Sequence, residues 1–163
     1  MQDMLRSMVE EYGDRVFRLA LRYTGDRTQA EDLTQDTFLK AFKNLGKFDR
    51  SKNAGPWLFK IATNLCHNWV RDNRETPVER IEVTDQDDHN NPEMIVLARE
   101  KEHELSTALQ QLPKIYREVI LLKHVGELSY TEICEALDLE LSLVKNRLYR
   151  GRIILKDLLM EGT

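Results

Sequence analysis

Apolar residues recur at helical spacing along most of this chain, and no stretch alternates with the two-residue period of a strand. Val9, Tyr12, Val16, Leu19, Ala20 and Tyr23 step along one face, predicting a helix from about residue 3 to Thr24 that Gly25 and Asp26 close. Thr28 and Glu31 have capping-box spacing and predict a second helix, with Ala30, Leu33, Thr37, Phe38, Ala41, Phe42 and Leu45 as its inner stripe. A polar loop over residues 46–55 follows. Pro56 then suits the first helical position of a third helix running from Trp57 to about Asn73, with Trp57, Leu58, Ile61, Ala62, Leu65 and Trp69 facing the core. Between Thr76 and Asn91 the period is lost, and a disordered or extended path is expected.

Near the C-terminus the pattern sharpens. Ser129 and Glu132 form a further capping box, and Ile133, Ala136 and Leu137 give the short helix behind it an apolar face. The period breaks over Asp138–Leu141. Ser142 is placed to cap a longer helix from Leu143 to about Leu159, carrying Val144, Leu148, Ile154, Leu155, Leu158 and Leu159. The same helix concentrates Lys145, Arg147, Arg150, Arg152 and Lys156, with no acid before Asp157. A capped helix, a tight turn and a basic helix are the pattern of a helix-turn-helix, whose second helix enters the major groove. The plain alternative is an amphipathic hairpin with a solvated basic face.

Charge placement changes that balance. The 163 residues carry a net −4, yet five bases gather on one helix. Residues 1–75 hold 13 Lys/Arg against 11 Asp/Glu, residues 76–104 hold 3 against 9, and residues 105–163 hold 8 against 8. Two near-neutral blocks flank an acidic stretch, which reads as domains over 1–75 and 105–163 joined by a linker over 76–104. No apolar run approaches the roughly 20 residues of a membrane span, and the N-terminus has no signal-peptide core, so a cytoplasmic location is expected. Cys66 and Cys134 sit among apolar residues and read as small hydrophobes. The four histidines fall in separate segments without metal-ligand spacing, and no glycine-rich phosphate loop is present. No cofactor, no metal and no small-molecule substrate are expected, and the chain does not read as an enzyme; His124, in an apolar run, reads as structural.

Two polar faces ask for partners. On the second helix, dipole complementarity accounts for Glu31 and Asp32 but does not require Gln35 and Asp36 a turn later. On the third, Lys60, Asn64, His67/Asn68 and Arg71 form a stripe beside tryptophan, behind a basic loop. Such a surface suits single-stranded nucleic acid, with cations for phosphate, amides for base edges and an aromatic platform. A solvated face with Trp57 and Trp69 in the core is the alternative.

With these residues in view, the chain resembles a known family. AEDLTQDTFLKAF, WLFKIATN, LPKIYREVILLKHVGELSYTEI and VKNRLYRGR, in this order and at these spacings, resemble a bacterial RNA polymerase sigma factor of the sigma-70 family, in the compact extracytoplasmic-function (ECF) class. The resemblance covers about residues 8–75 and 105–159. It implies an all-α fold of two small domains, a sigma-2-like domain of three or four helices and a sigma-4-like helix-turn-helix domain, joined by a flexible acidic linker. It implies docking of the second helix on the clamp helices of the polymerase β′ subunit through Asp32, Gln35, Asp36, Leu39 and Lys40, and a second contact with the β flap. The minus-ten promoter element would be recognised and melted by Phe48, Arg50, Ser51, Lys52 and Asn53 of the loop and by Lys60, Asn64, Asn68 and Arg71. The minus-thirty-five element would meet Ser142, Lys145, Asn146, Arg147, Tyr149 and Arg150, with Lys145, Asn146 and Tyr149 facing bases and Arg147 and Arg150 mainly holding phosphate. The acidic linker would thread the polymerase's positively charged RNA exit path. An anti-sigma factor, often membrane-bound, is the implied regulator.

Three positions depart from the family's pattern. Asn68 stands where aspartate is usual. Ser142-Leu143-Val144 replaces Gly-Thr-Val at the opening of the recognition helix, and Glu140 replaces a proline. These bear on base preference rather than on fold. Two other functions compete: a polymerase-independent helix-turn-helix regulator, which needs a dimer on symmetric half-sites, and an adaptor that binds polymerase or another helical protein without reading DNA.

Overall fold

The computed structural model describes residues 2–73 and 92–161. The stretch 76–91, expected to be extended or disordered, lies outside the described residues. Helices α1 (Gln2–Thr24), α2 (Arg27–Lys43) and α3 (Ala54–Asp72) form the N-terminal half, with a short 3-10 turn at Leu45–Lys47. Helices α4 (Pro92–Gln111), α5 (Lys114–His124), α6 (Tyr130–Leu137) and α7 (Leu141–Glu161) form the C-terminal half. The described residues contain no strand, and the fold is all-α.

Local chemistry sets most boundaries. Gly25 takes a left-handed φ of 67° and its N–H donates to the Leu21 carbonyl, ending α1 as expected. The cap of α2 is Asp26 rather than Thr28: its carboxylate accepts from the backbone N–H groups of Thr28 and Gln29, so the helix begins at Arg27. Glu31 pairs instead with Arg27, one turn back. Helix α3 likewise begins earlier than expected. Asn53 caps it by accepting from Gly55 N–H, which puts Pro56 inside the first turn, where a missing N–H is still tolerated. The capping box at Ser129 and Glu132 is present in both directions. Asp138 ends α6 in the left-handed region at φ 56°, and α7 starts at Leu141, so Ser142 lies in its first turn and is not its cap. Helix α4 begins at Pro92, taking residues 92–104 of the acidic stretch into a helix.

The inner faces follow the predicted stripes with three departures, one of them Phe42 of α2, which is 39% exposed rather than buried. Val9 is 44% exposed, and Met8 takes the buried position on α1. In α3 the wholly buried side chains include Leu58, Phe59, Ala62, Thr63 and Cys66, whereas Trp57, Ile61, Leu65 and Trp69 are only partly buried. Phe59 is buried because α3 is covered on two sides, by α1 and α2 and by α6 of the other half. The two halves therefore share one continuous core. At Gly126 the approach is closest: an added Cβ would lie 3.2 Å from the Phe59 ring and 2.9 Å from the Leu122 carbonyl. Within the C-terminal half, α5 and α7 touch at Gly151, where a Cβ would fall 2.9 Å from Ile120 Cδ1 and 3.1 Å from Tyr116 Cβ. Arg117 closes the end of α4 by donating to the carbonyls of Gln110 and Leu112, as a cation near a helix C-terminus does.

Candidate nucleic-acid interface

Three strips of side chains face solvent on three separate elements. On α2, Asp32, Gln35, Asp36, Leu39 and Lys40 are all exposed, and Leu39 at 56% is a large apolar residue set among polar ones. The spacing of three and four residues puts them on one face, and the opposite face, with Ala30, Leu33, Thr37 and Ala41, is buried.

The second strip joins the loop before α3 to the outer face of that helix. Lys60, Asn64, Asn68 and Arg71 are exposed in a row at helical spacing, and the half-buried His67 points away from it. The loop is built rather than loose. Asp49 accepts from the Ser51 N–H at 3.0 Å and from the Ser51 hydroxyl at 2.6 Å, while Lys52 N–H donates to the Asp49 carbonyl. The Ser51 hydroxyl, then its N–H, hold the Asp49 carboxyl below the usual carboxylate range. Phe48 stacks on Trp57 with ring centroids 4.7 Å apart and planes 28° from parallel, pinning the loop's first residue. The Asn53 side-chain oxygen accepts from Gly55 N–H and from the Tyr12 hydroxyl, pinning its last. Arg50, Ser51, Lys52 and Asn53 are exposed between these two anchors. Trp57 thus belongs to the loop's anchor, whereas Trp69 is tied inward by donating its indole N–H to Gln29. Asp49 is a residue that sequence reading missed; the Asp-x-Ser spacing of an Asx turn was the available signal.

The third strip is the start of α7. Ser142, Lys145, Asn146, Tyr149 and Arg150 are exposed, with Tyr149 at 67%. Val144, Leu148 and Gly151 fasten the other face to the core. Arg147 differs from the rest. It is half-buried, and its Nη1 lies 3.8 Å from Oε1 of Glu118 on α5.

Glu118 sits at a junction. Its Oε2 is 3.6 Å from Nε2 of His67 on α3. Burial, then the positive charges of Lys114 and Arg117, push the His67 pKa down to about 4, so the ring is neutral near pH 7 and the contact with Glu118 is not ionic. Tyr23 approaches the same Nε2 at 3.3 Å. Burial also raises the Glu118 carboxyl and pushes the Cys66 thiol up to about 12, leaving it an unreactive core residue. His124 lies against the Arg152 guanidinium, and burial followed by that charge lowers its pKa. Among the described residues no group of His, Cys, Asp and Glu has metal-binding geometry, and no helix is long and apolar enough to cross a membrane.

Comparison with known proteins bears on all three strips. The family model described as sigma-70 region 2 matches residues 8–76, and that described as sigma-70 region 4 matches residues 102–155. The ECF RNA polymerase sigma factor SigW of Bacillus subtilis is 32% identical over 98% of this chain and 91% of its own length. The chain belongs to the ECF class of sigma-70 factors. SigE of Mycolicibacterium smegmatis is 36% identical over 94% of this sigma factor, which spans 61% of SigE. Among solved structures, CnrH in complex with the cytosolic domain of CnrY aligns with a TM-score of 0.78 at 26% identity, covering 100% of this chain and 92% of CnrH. RpoE of Bartonella quintana, solved with the anti-sigma factor NepR, aligns at 0.76 and 23% identity and shares the fold. This sigma factor is accordingly a transcription initiation factor: it binds core RNA polymerase and directs it to promoters.

Proposed function

We propose that the three exposed strips divide the work of initiation. Asp32, Gln35, Asp36, Leu39 and Lys40 dock on the β′ clamp helices, an apolar Leu39 among charges being the mixture a specific docking face uses. Phe48, Arg50, Ser51, Lys52 and Asn53, with Lys60, Asn64, Asn68 and Arg71, receive the unpaired minus-ten strand. Ser142, Lys145, Asn146, Tyr149 and Arg150 meet the minus-thirty-five duplex, and the C-terminal half also contacts the β flap. Residues 1–75 act as the sigma-2-like unit, 105–163 as the sigma-4-like unit, and 76–104 as the acidic connection that follows the RNA exit path. The observation that carries this reading is the exposure of all three strips on elements whose opposite faces are buried in one core.

The chain contributes binding energy rather than bond-making chemistry and is not an enzyme. Unstacking a base costs a few kcal/mol, offset by stacking and by phosphate neutralisation, with stacking giving about 1–3 kcal/mol per base. A net charge of −4 fits weak promoter binding by the free protein. Its setting is the cytoplasm, and its regulator is an anti-sigma factor, the partner type with which RpoE of Bartonella quintana was solved. Run-off transcription with bacterial core polymerase on a duplex promoter library tests the whole assignment. Specific initiation requiring both proteins is expected; binding of a duplex site by this protein alone as a dimer would point to an independent regulator.

A further inference from the structure

Among the polar side chains exposed at the start of α7 stands an apolar one. Leu143 is 36% exposed, although the next residue, Val144, is wholly buried. It is not part of the core face made by Val144, Leu148 and Gly151. Side chains of a helix lean towards its N-terminus, so the residues able to cover Leu143 are those three and four positions later, Asn146 and Arg147. Asn146 is short and itself exposed. The stem of an arginine can lie over an apolar neighbour, but the Arg147 guanidinium is drawn to Glu118 on α5, with Nη1 3.8 Å from Oε1. That ion pair turns Arg147 inward and leaves the Leu143 side chain facing solvent. The exposed Arg150 follows seven positions later on the same ridge of the helix.

We propose that Leu143 is a specificity-determining residue that reads the C5-methyl group of one thymine in the minus-thirty-five element. The proposal rests on the assignment of α7 to that element. Of the four bases, only thymine presents a methyl group in the major groove; the others offer hydrogen-bond donors and acceptors. A leucine pressed on a polar edge takes that edge out of water without giving it a partner, which is costly. Against a methyl group both apolar surfaces leave water, which is favourable. The same side chain therefore favours thymine and penalises the alternatives. Arg150, exposed on the same ridge, supplies the attraction to phosphate that holds the helix in the groove. Spacing along the helix sets which thymine is met. Leu143 and Asn146 are separated by about 4.5 Å along the axis, and successive base pairs by about 3.4 Å. The thymine met by Leu143 thus lies about one base-pair step from the base met by Asn146. One methyl group taken out of water corresponds to about fourfold in affinity.

The test removes the methyl group from the DNA and the apolar side chain from the protein, separately and together. Core polymerase carrying the full-length chain is titrated with a fluorescein-labelled duplex promoter taken from the run-off selection. Each thymine of its minus-thirty-five element is replaced in turn by deoxyuridine, which keeps the base pair and lacks the methyl group. Binding about fourfold weaker at one position is expected for the wild type, with no difference there for Leu143→Ala. Leu143→Met keeps an apolar side chain and should retain most of the difference, whereas Arg150→Ala should weaken the thymine and deoxyuridine duplexes alike. At the same position 5-methylcytosine should bind more tightly than cytosine, each paired with guanine, which separates the methyl group from the rest of the base. Far-UV circular dichroism checks folding of each variant. Equal binding of the thymine and deoxyuridine duplexes at every position would overturn the proposal. So would a difference that persists in Leu143→Ala and vanishes in Tyr149→Ala, since the methyl group would then meet the tyrosine ring. Absence of promoter-specific initiation by the wild type would remove the assignment of α7 and this proposal with it, whereas initiation with equal binding removes the role of Leu143 alone.

Discussion

Arg147 lies on the helix expected to enter the major groove, yet its guanidinium turns towards Glu118 at 3.8 Å, and its side chain is 22% exposed. Arg150, almost one turn on, is exposed. Two arginines that look equivalent in sequence therefore have separate jobs. Arg150→Ala is expected to weaken all promoters alike and to lower the slope of log affinity against log salt by about 1, the share of one phosphate contact. Arg147→Ala is expected to lower the melting temperature of the free protein, because Glu118 loses one of its two nearby cations, Lys114 being the other, and to change that salt slope less. Titrating polymerase-bound protein with promoter DNA at several salt concentrations checks both. A larger slope change for Arg147 than for Arg150 would reverse the assignment.

Asp36 is exposed on the face of α2 opposite the core. Surface substitutions away from packing usually change stability by no more than about 0.5 kcal/mol. Asp36→Arg should thus leave circular dichroism and melting unchanged, while lowering affinity for core polymerase about tenfold or more through charge reversal at a docking face. Core affinity equal to wild type would remove α2 from the docking assignment.

Asp49 organises the minus-ten loop through two bonds it accepts from Ser51. Asparagine keeps an acceptor oxygen and alanine does not. Asp49→Ala is expected to slow promoter opening while leaving duplex binding at the minus-thirty-five element intact, and Asp49→Asn is expected to restore much of the rate. Permanganate footprinting of unpaired thymines measures opening separately from binding. Equal defects in the two variants would mean that charge, rather than the turn, is what Asp49 supplies.

His67 should give the fold an acid-sensitive limb. In the unfolded chain its imidazole protonates near 6.5; in the folded protein burial, helped by Lys114 and Arg117, lowers that to about 4. Between those values the unfolded state binds more protons, so stability falls as pH drops from 6.5 towards 4, with a limiting slope of about 1.4 kcal/mol per pH unit. Above 6.5 the group contributes no slope. Glu118 works the other way: burial raises its carboxyl, so the folded state gains protons more readily there and offsets part of the loss. Replacing His67 by glutamine should flatten the acid limb in chemical denaturation followed across this range. An unchanged slope would place the acid sensitivity elsewhere.

The sequence by itself determined α1, α2, α3, α6 and α7, with the helix-turn-helix and the three outer strips, while α4 and α5 were not read from it. Those features are local. Burial repeats with the turn of the helix, as at Val16, Leu19 and Tyr23, and a cap such as Ser129 with Glu132 is written within four residues. Lys60, Asn64, Asn68 and Arg71 stood out for the same reason, being polar at a helical period on an otherwise apolar helix. Even local signals competed at the ends: Asp26 and Thr28 both offered an oxygen, and only the chain's path decided that Asp26 reaches the free amides. What tertiary structure alone decided concerns pairs with no period between them. Phe59 is buried because α6 covers a second side of α3, Arg147 turns inward because Glu118 awaits it on α5, and Asn53 meets Glu132 across 79 positions of chain. Such contacts depend on how two halves pack, and the packing energy is spread over a shared core in which no single residue carries the address of its partner.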